Sequence, residues 1–159
     1  MKIIPVFTAL GCLSFALTSI AEAKQTFTIT QNKPDIQHVD VGTTGMSIGD
    51  VLAFEAPFET QDGKKGRMYG LLTLVSLPTG GQDVALDRIG TIALDFGNSD
   101  SLVVNGKSVY GAYLGEIKDN APQVRAITGG TGKFIGARGQ VSTTRNASGA
   151  YVHVIELVD

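Results

Sequence analysis

In separate runs between Thr26 and Val158 apolar residues recur at every second position, and no stretch of ten or more shows convincing helical spacing. A period of two is that of a strand, so a core built from this chain has to be built from sheet. Residues 26–30 set Phe27 and Ile29 against threonines. Runs at 48–58 and 66–77 flank Gln61-Asp62-Gly63, which predicts a hairpin. The run 84–96 places Val84, Leu86, Ile92, Leu94 and Phe96 on one face. Residues 102–104 and the run from Lys107 flank Asn105-Gly106, and this pair predicts a second hairpin because both residues tolerate positive φ. Residues 124–128 form a short strand that ends at Gly129-Gly130. Residues 135–144 and 150–158 predict a last hairpin across 146–149. Pro78-Thr79-Gly80-Gly81 breaks the chain, and 113–123 reads as a long loop. Eight or nine strands in one domain point to a barrel or a sandwich.

The first 23 residues read as a secretory leader. Lys2 supplies a positive start, residues 3–20 carry no charge, and Ala21-Glu22-Ala23 has the small-x-small cleavage pattern. A membrane anchor is the rival reading, but Thr8, Ser14, Thr18, Ser19 and the Ala-x-Ala ending favour cleavage. The expected product is a secreted or periplasmic domain, 24–159, with no membrane association once the leader is gone. It lacks Cys12, the single cysteine, so thiol catalysis, thiolate–metal chemistry and disulfides are excluded from it. With two histidines and no cysteine, no metal site and no cofactor are expected. A formal charge of −2 is a poor footprint for nucleic acid.

Two strands are apolar on both faces. In 66–77, Met68, Leu72 and Leu74 oppose Leu71, Val75 and Leu77, and only one set can face a core. The second set predicts a homo-oligomer packed through its outer walls. The glycine run 128–136 approaches the TGxxGxxG phosphate loop. Lys133 adds a residue between the required glycines, and about 30 residues remain where a dinucleotide domain needs several βαβ units. It reads instead as a turn between strands that requires positive φ.

That same segment carries a resemblance. Ala126-Ile127-Thr128-Gly129-Gly130-Thr131-Gly132-Lys133-Phe134, followed by Gly136-Ala137-Arg138-Gly139-Gln140-Val141, resembles the glycine signature of the allene oxide cyclase and dirigent barrel superfamily. Gly49-Asp50 with Phe54, Gly66-Arg67 with Gly70, and Ser101-Leu102-Val103-Val104-Asn105-Gly106 match further pieces in order, over about 48–145. The resemblance implies an all-β, eight-stranded antiparallel barrel with an apolar cavity, commonly a trimer. The plant cyclases carry a Glu-x-Asn pair on the first strand, where this chain offers Thr28 and Thr30. Ala56 stands in place of a further Asn, and the dirigent His-Asp pair is absent. Arg138 carries over, in the region of the dirigent substrate pocket.

Candidate catalytic residues are therefore Arg138, Tyr69 and Glu55. Arg67, Gln140, Ser142 and His153 are candidate binding residues. If Arg138 faces inward, Gln140 and Ser142 share its face. Arg67 lies beside Tyr69 by parity, Glu55 shares a face with Val51 and Ala53, and His153 alternates with Tyr151, Ile155 and Leu157. The leading expectation is a barrel that binds an apolar small molecule and steers its cyclisation or coupling by shape. The alternatives are an isomerase or cyclase with acid–base groups, and a non-catalytic interaction protein of the cell envelope.

Overall fold

The computed structural model describes residues 24–77, 85–111 and 116–158. The expected leader, the expected break at 78–81, Val84 and the first residues of the expected loop at 113–123 lie outside them. Nine strands follow one another: β1 (Lys24–Gln31), β2 (Asp35–Val39), β3 (Val51–Thr60), β4 (Lys65–Ser76), β5 (Ala85–Asp95), β6 (Ser101–Gly111), β7 (Gln123–Thr131), β8 (Arg138–Arg145) and β9 (Tyr151–Val158). Each of β3 to β9 pairs antiparallel with the next, and β1 joins β9 to β3, which closes an eight-stranded barrel. The ninth strand, β2, continues along the same edge of β3: β1 meets residues Phe58–Thr60, and β2 meets Val51–Glu55. Four of the five residues of β2 are exposed, so it lacks the alternation that marks the other strands in the sequence.

Alternation decides which side chains fill the barrel. Leu52, Ala56 and Phe58 of β3, Met68, Leu72 and Leu74 of β4, and Leu86, Ile92 and Leu94 of β5 are buried. Their neighbours Leu71, Val75 and Ile89 are exposed on the outer wall. One end of the interior is sealed by aromatic rings. Phe96 lies 5.1 Å from Phe58 and 5.0 Å from Phe134, centroid to centroid, and Phe27 packs beside them. Phe134 enters from a 3-10 turn at Gly132–Phe134, where Gly132 takes φ +60° against Asp100. The Lys133 backbone N–H and ammonium both bond Asp100, and the ammonium also lies over the Phe96 and Phe134 rings. The expected strand end at Gly129-Gly130 does not occur: β7 pairs with β6 as far as Thr131, and only the second half of the glycine run, from Gly132, is the barrel-closing turn. Because that turn holds Phe134 inward and leaves Ile135 exposed, the following strand starts at Arg138 and not at 135.

The hairpin expected at Asn105-Gly106 does not form. β6 runs unbroken through both residues, with Asn105 opposite Thr91 and Gly106 opposite Gly90. Gly106 has φ +149°, but Asn105 stays outside the left-handed region, and its side chain bridges strands instead. It accepts from the Thr91 hydroxyl at 2.8 Å and donates to Thr128 at 2.7 Å. The turn between β5 and β6 is made at Gly97-Asn98-Ser99, all three at positive φ.

Candidate functional site

The end of the barrel opposite the phenylalanines is lined by polar side chains. They arrive from inward positions on separate strands: Gln31 from β1, Arg88 from β5, Ser108 and Tyr110 from β6, Arg125 from β7, Thr143 from β8, and Tyr151 and His153 from β9. All eight are buried. Arg88 and Arg125 are only 4 % and 5 % exposed, which is unusual for a guanidinium without a carboxylate. Glycines make the room. Gly106 and Gly90 face each other on β6 and β5, and a Cβ at Gly106 would lie 3.4 Å from the Arg125 Cβ. The stem of Arg125 therefore runs over bare backbone, and its Nε lies near Gly90.

The Arg125 Nη2 donates to the Tyr110 hydroxyl at 2.6 Å. The Arg88 guanidinium lies 6.0 Å from the Tyr110 ring centroid. Thr143 Oγ1 and His153 Nδ1 are 2.9 Å apart, and the His153 ring stacks on Tyr151. Burial, seconded by the charge of Arg125, pushes the His153 pKa down to about 3, so the imidazole is neutral at ordinary pH. Burial pushes the Tyr110 phenol up against the opposing pull of the two arginines. Burial also pushes Tyr151 up to about 12, helped by the charge of Glu116. Desolvation moves Arg88 down from its ordinary value.

A cavity of about 40 Å³ lies among Gln31, Tyr110, Arg125, Thr143, Tyr151 and His153. Its apolar side is formed by Phe54, Leu72 and Ile92, with Ile117 and Pro34. Ile117 belongs to the stretch between β6 and β7 and is buried in the barrel core. Next to it Glu116, also buried, receives the Lys33 ammonium at 2.9 Å and the Arg145 guanidinium at 3.0 Å. Arg145 pairs with Asp119 as well. Burial disfavours the charge of Arg145, but Glu116 and Asp119 outweigh it and raise its pKa. The stretch from Glu116 to Asp119 is thereby pinned over the polar end.

The residues singled out from the sequence fall elsewhere, with one exception. His153 is inside. Arg67 and Glu55 form an ion pair on the outer wall, with Tyr69 on the same face. Glu55 and Tyr69 border an open outer groove of about 890 Å³ shared with Lys33, Asp35 and Gln37. Arg138 and Gln140 are exposed on the outside of β8, where Gln140 donates to Glu156, and Ser142 is half-buried on that face. The inward side of β8 belongs to Val141 and Thr143. Arg138 therefore does not share a cavity with Tyr69 and Glu55. The condition that Arg138 faces inward is not met, because the odd-numbered Val141 and Thr143 take the inward positions, and a Cβ at Gly139, φ +153°, would collide with the Glu156 carbonyl. Sequence reasoning passed over Arg88 and Arg125. The signal was present: Arg88 occupies an inward position between Leu86 and Ile92, and Arg125 stands two residues before Ile127.

Solved structures with the same barrel include a pyocyanin demethylase. It is 20% identical, with a TM-score of 0.58, over 85% of this chain and 99% of that one. A pterocarpan synthase dirigent protein is 22% identical, with a TM-score of 0.55, over 94% of this chain and 98% of that one. The Diels-Alderase AbmU from Streptomyces koyangensis is 15% identical, with a TM-score of 0.61, over 89% of this chain and 70% of that one. What the chain shares with them is the closed eight-stranded antiparallel barrel. No family model matches the sequence, and no curated protein does. At these identities the likeness establishes the barrel and not its chemistry.

Proposed function

We propose that this protein binds a small organic molecule in the polar end of its barrel and steers a cyclisation or coupling of that molecule by holding one conformation. The observation that carries this reading is the convergence of polar side chains from five strands on a cavity at one end, while rings seal the other. A barrel selected only for stability would fill that volume with Leu, Ile and Phe, since buried polar groups without partners are destabilising. The sharing of this barrel with dirigent proteins and Diels-Alderases agrees with it. Positioning alone lowers a barrier by as much as roughly 7–11 kcal/mol when reacting atoms are held in a near-attack arrangement. Among the described interior residues, His153 is neutral but buried against Thr143, and the Tyr110 phenol is shifted up, so neither is set up as a strong general base.

The cavity as it stands has room for about three waters. Entry of a larger molecule requires Ile117 to withdraw and the Glu116 pairs to open. Export, expected from residues 1–23, would place this chemistry outside the cytoplasm. Native mass spectrometry of the protein isolated from its own host tests the reading. The expected result is a bound organic mass that leaves on collisional activation. Bare protein, together with an Ile117→Ala variant that takes up neither a neutral nor an anionic aromatic probe, would overturn it.

A further inference from the structure

Among the described residues no carboxylate pairs with either buried arginine, Arg88 or Arg125. Two buried carboxylates lie nearby, and both are fully engaged. Asp50, whose charge acts on Arg88, accepts from the Val41 N–H, the Ser47 N–H and the Ser47 hydroxyl. Glu116 is held by Lys33 and Arg145. Nε and Nη1 of Arg88, Nε of Arg125, Nε2 of His153 and Oγ of Ser108 are buried without a hydrogen-bond partner. Of the side chains that line the cavity, Arg125 carries a charge and His153 presents an open ring nitrogen. With the Thr143 hydroxyl donating to Nδ1, Nε2 bears the proton and is a donor too. Arg88 stands behind the Tyr110 ring and adds a second positive charge to the field. Unpaired buried charge is strongly unfavourable, whereas charge-assisted N–H donors around an oxyanion are among the strongest polar contacts a protein makes.

We infer that the polar end of the barrel is an oxyanion site, and that the ligand carries a carboxylate, or an enolate or phenolate oxygen, seated between Arg125, Tyr110 and the Nε2 of His153. This names the substrate class for the reading above and rests on it. The apolar side of the cavity, formed by Phe54, Leu72, Ile92 and Ile117, then takes the carbon skeleton attached to that oxygen. The preference is for an anion on an apolar body, which the sequence-based expectation of an apolar ligand did not include.

Benzoate and benzamide have nearly the same shape and differ in charge, so calorimetric titration of the full-length mature protein with each separates the two ideas. Benzoate is expected to bind at least about tenfold more tightly than benzamide. The difference should collapse in Arg125→Gln and shrink in Arg88→Gln, and persist in Lys65→Gln, whose side chain is on the outside. The ¹⁵N resonance of His153 Nε2 should move with benzoate and not with benzamide, which reads the site even if an arginine variant fails to fold. Equal binding of the two probes would overturn the oxyanion site while leaving a small-molecule barrel standing, with water filling the polar end. No binding of either, with Ile117→Ala also silent, would remove both.

Discussion

Gly106 shows how one residue decides what its neighbours do. At φ +149°, with the Arg125 stem 3.4–3.5 Å from where a Cβ would stand, it accepts no side chain without strain. Gly106→Ala should lower stability by about 1–3 kcal/mol, measured as a shift in the urea midpoint. It should also weaken benzoate binding, because the guanidinium loses its bed. His153 gives a second prediction. Its folded pKa of about 3 lies below the ordinary 6.5, so the unfolded chain binds the extra proton first. The contribution is complete above pH 6.5 and is lost as pH falls toward 3, on the order of 5 kcal/mol at most. The lowered carboxylates Asp50, Asp62 and Asp100 release their contributions only below about pH 4. Urea melts between pH 6.5 and 4.5 therefore stay above the range of those carboxylates, and His153→Gln should reduce the pH dependence of stability across that window.

Among the elements, the stretch that begins at Glu116 differs from the strands around it. The strands are held by backbone ladders, among them eight pairs in β1–β9 and eleven in β5–β6. The stretch is held by the Glu116 and Asp119 ion pairs, the Ile117 plug, and bonds such as Gly111 N–H to the Glu116 carbonyl and Asn120 N–H to the Arg145 carbonyl. Local opening draws on elements with few such ties. Glu116→Gln weakens two ion pairs at once. Amide exchange at 116–121 should speed up by at least about tenfold, equivalent to 1.4 kcal/mol, while β5 and β6 keep their protection. Equal acceleration throughout would mean that the stretch is part of the barrel's cooperative unit and not a cover for it.

For the whole molecule the question is what meets the outer wall. Leu71, Ile89 and Val124 are each more than half exposed, and Val75 and Val109 lie on the same side of β4 and β6. Burying such a surface is favourable by about 25 cal/mol per Å² before the entropy of association is subtracted. We expect a homo-oligomer packed through this wall, with sedimentation at micromolar concentration as the measurement. Ile89→Lys with Leu71→Lys should return the monomer with the barrel intact. A monomer in the unmodified protein would show that the groove beside β2 and the outer wall tolerate water as they are.

Alternation by itself determined most of the strand content, the hairpin at 61–63, the last hairpin and the inward faces of β5 and β9, because the side-chain period of a strand is a local property; in β4, apolar on both faces, only closure of the barrel decided that Met68, Leu72 and Leu74 point inward. The glycine run at 128–136 was legible as a turn only in its second half, from Gly132 at φ +60°, whereas Gly129 to Thr131 pair with β6. Three further things were decided only in three dimensions. Asn105-Gly106 is a turn in isolation, but closing the barrel extends β6 through it, where Gly106 clears space for Arg125. β2 is a strand only because β3 offers it an edge. The site is the clearest case: Arg88, Tyr110, Arg125 and His153 are scattered over 66 positions and carry no shared motif. Closure of the sheet turns their separate inward positions into one polar chamber. The same closure leaves Arg67, Tyr69, Glu55 and Arg138, which stand in recognisable motifs, on the outside.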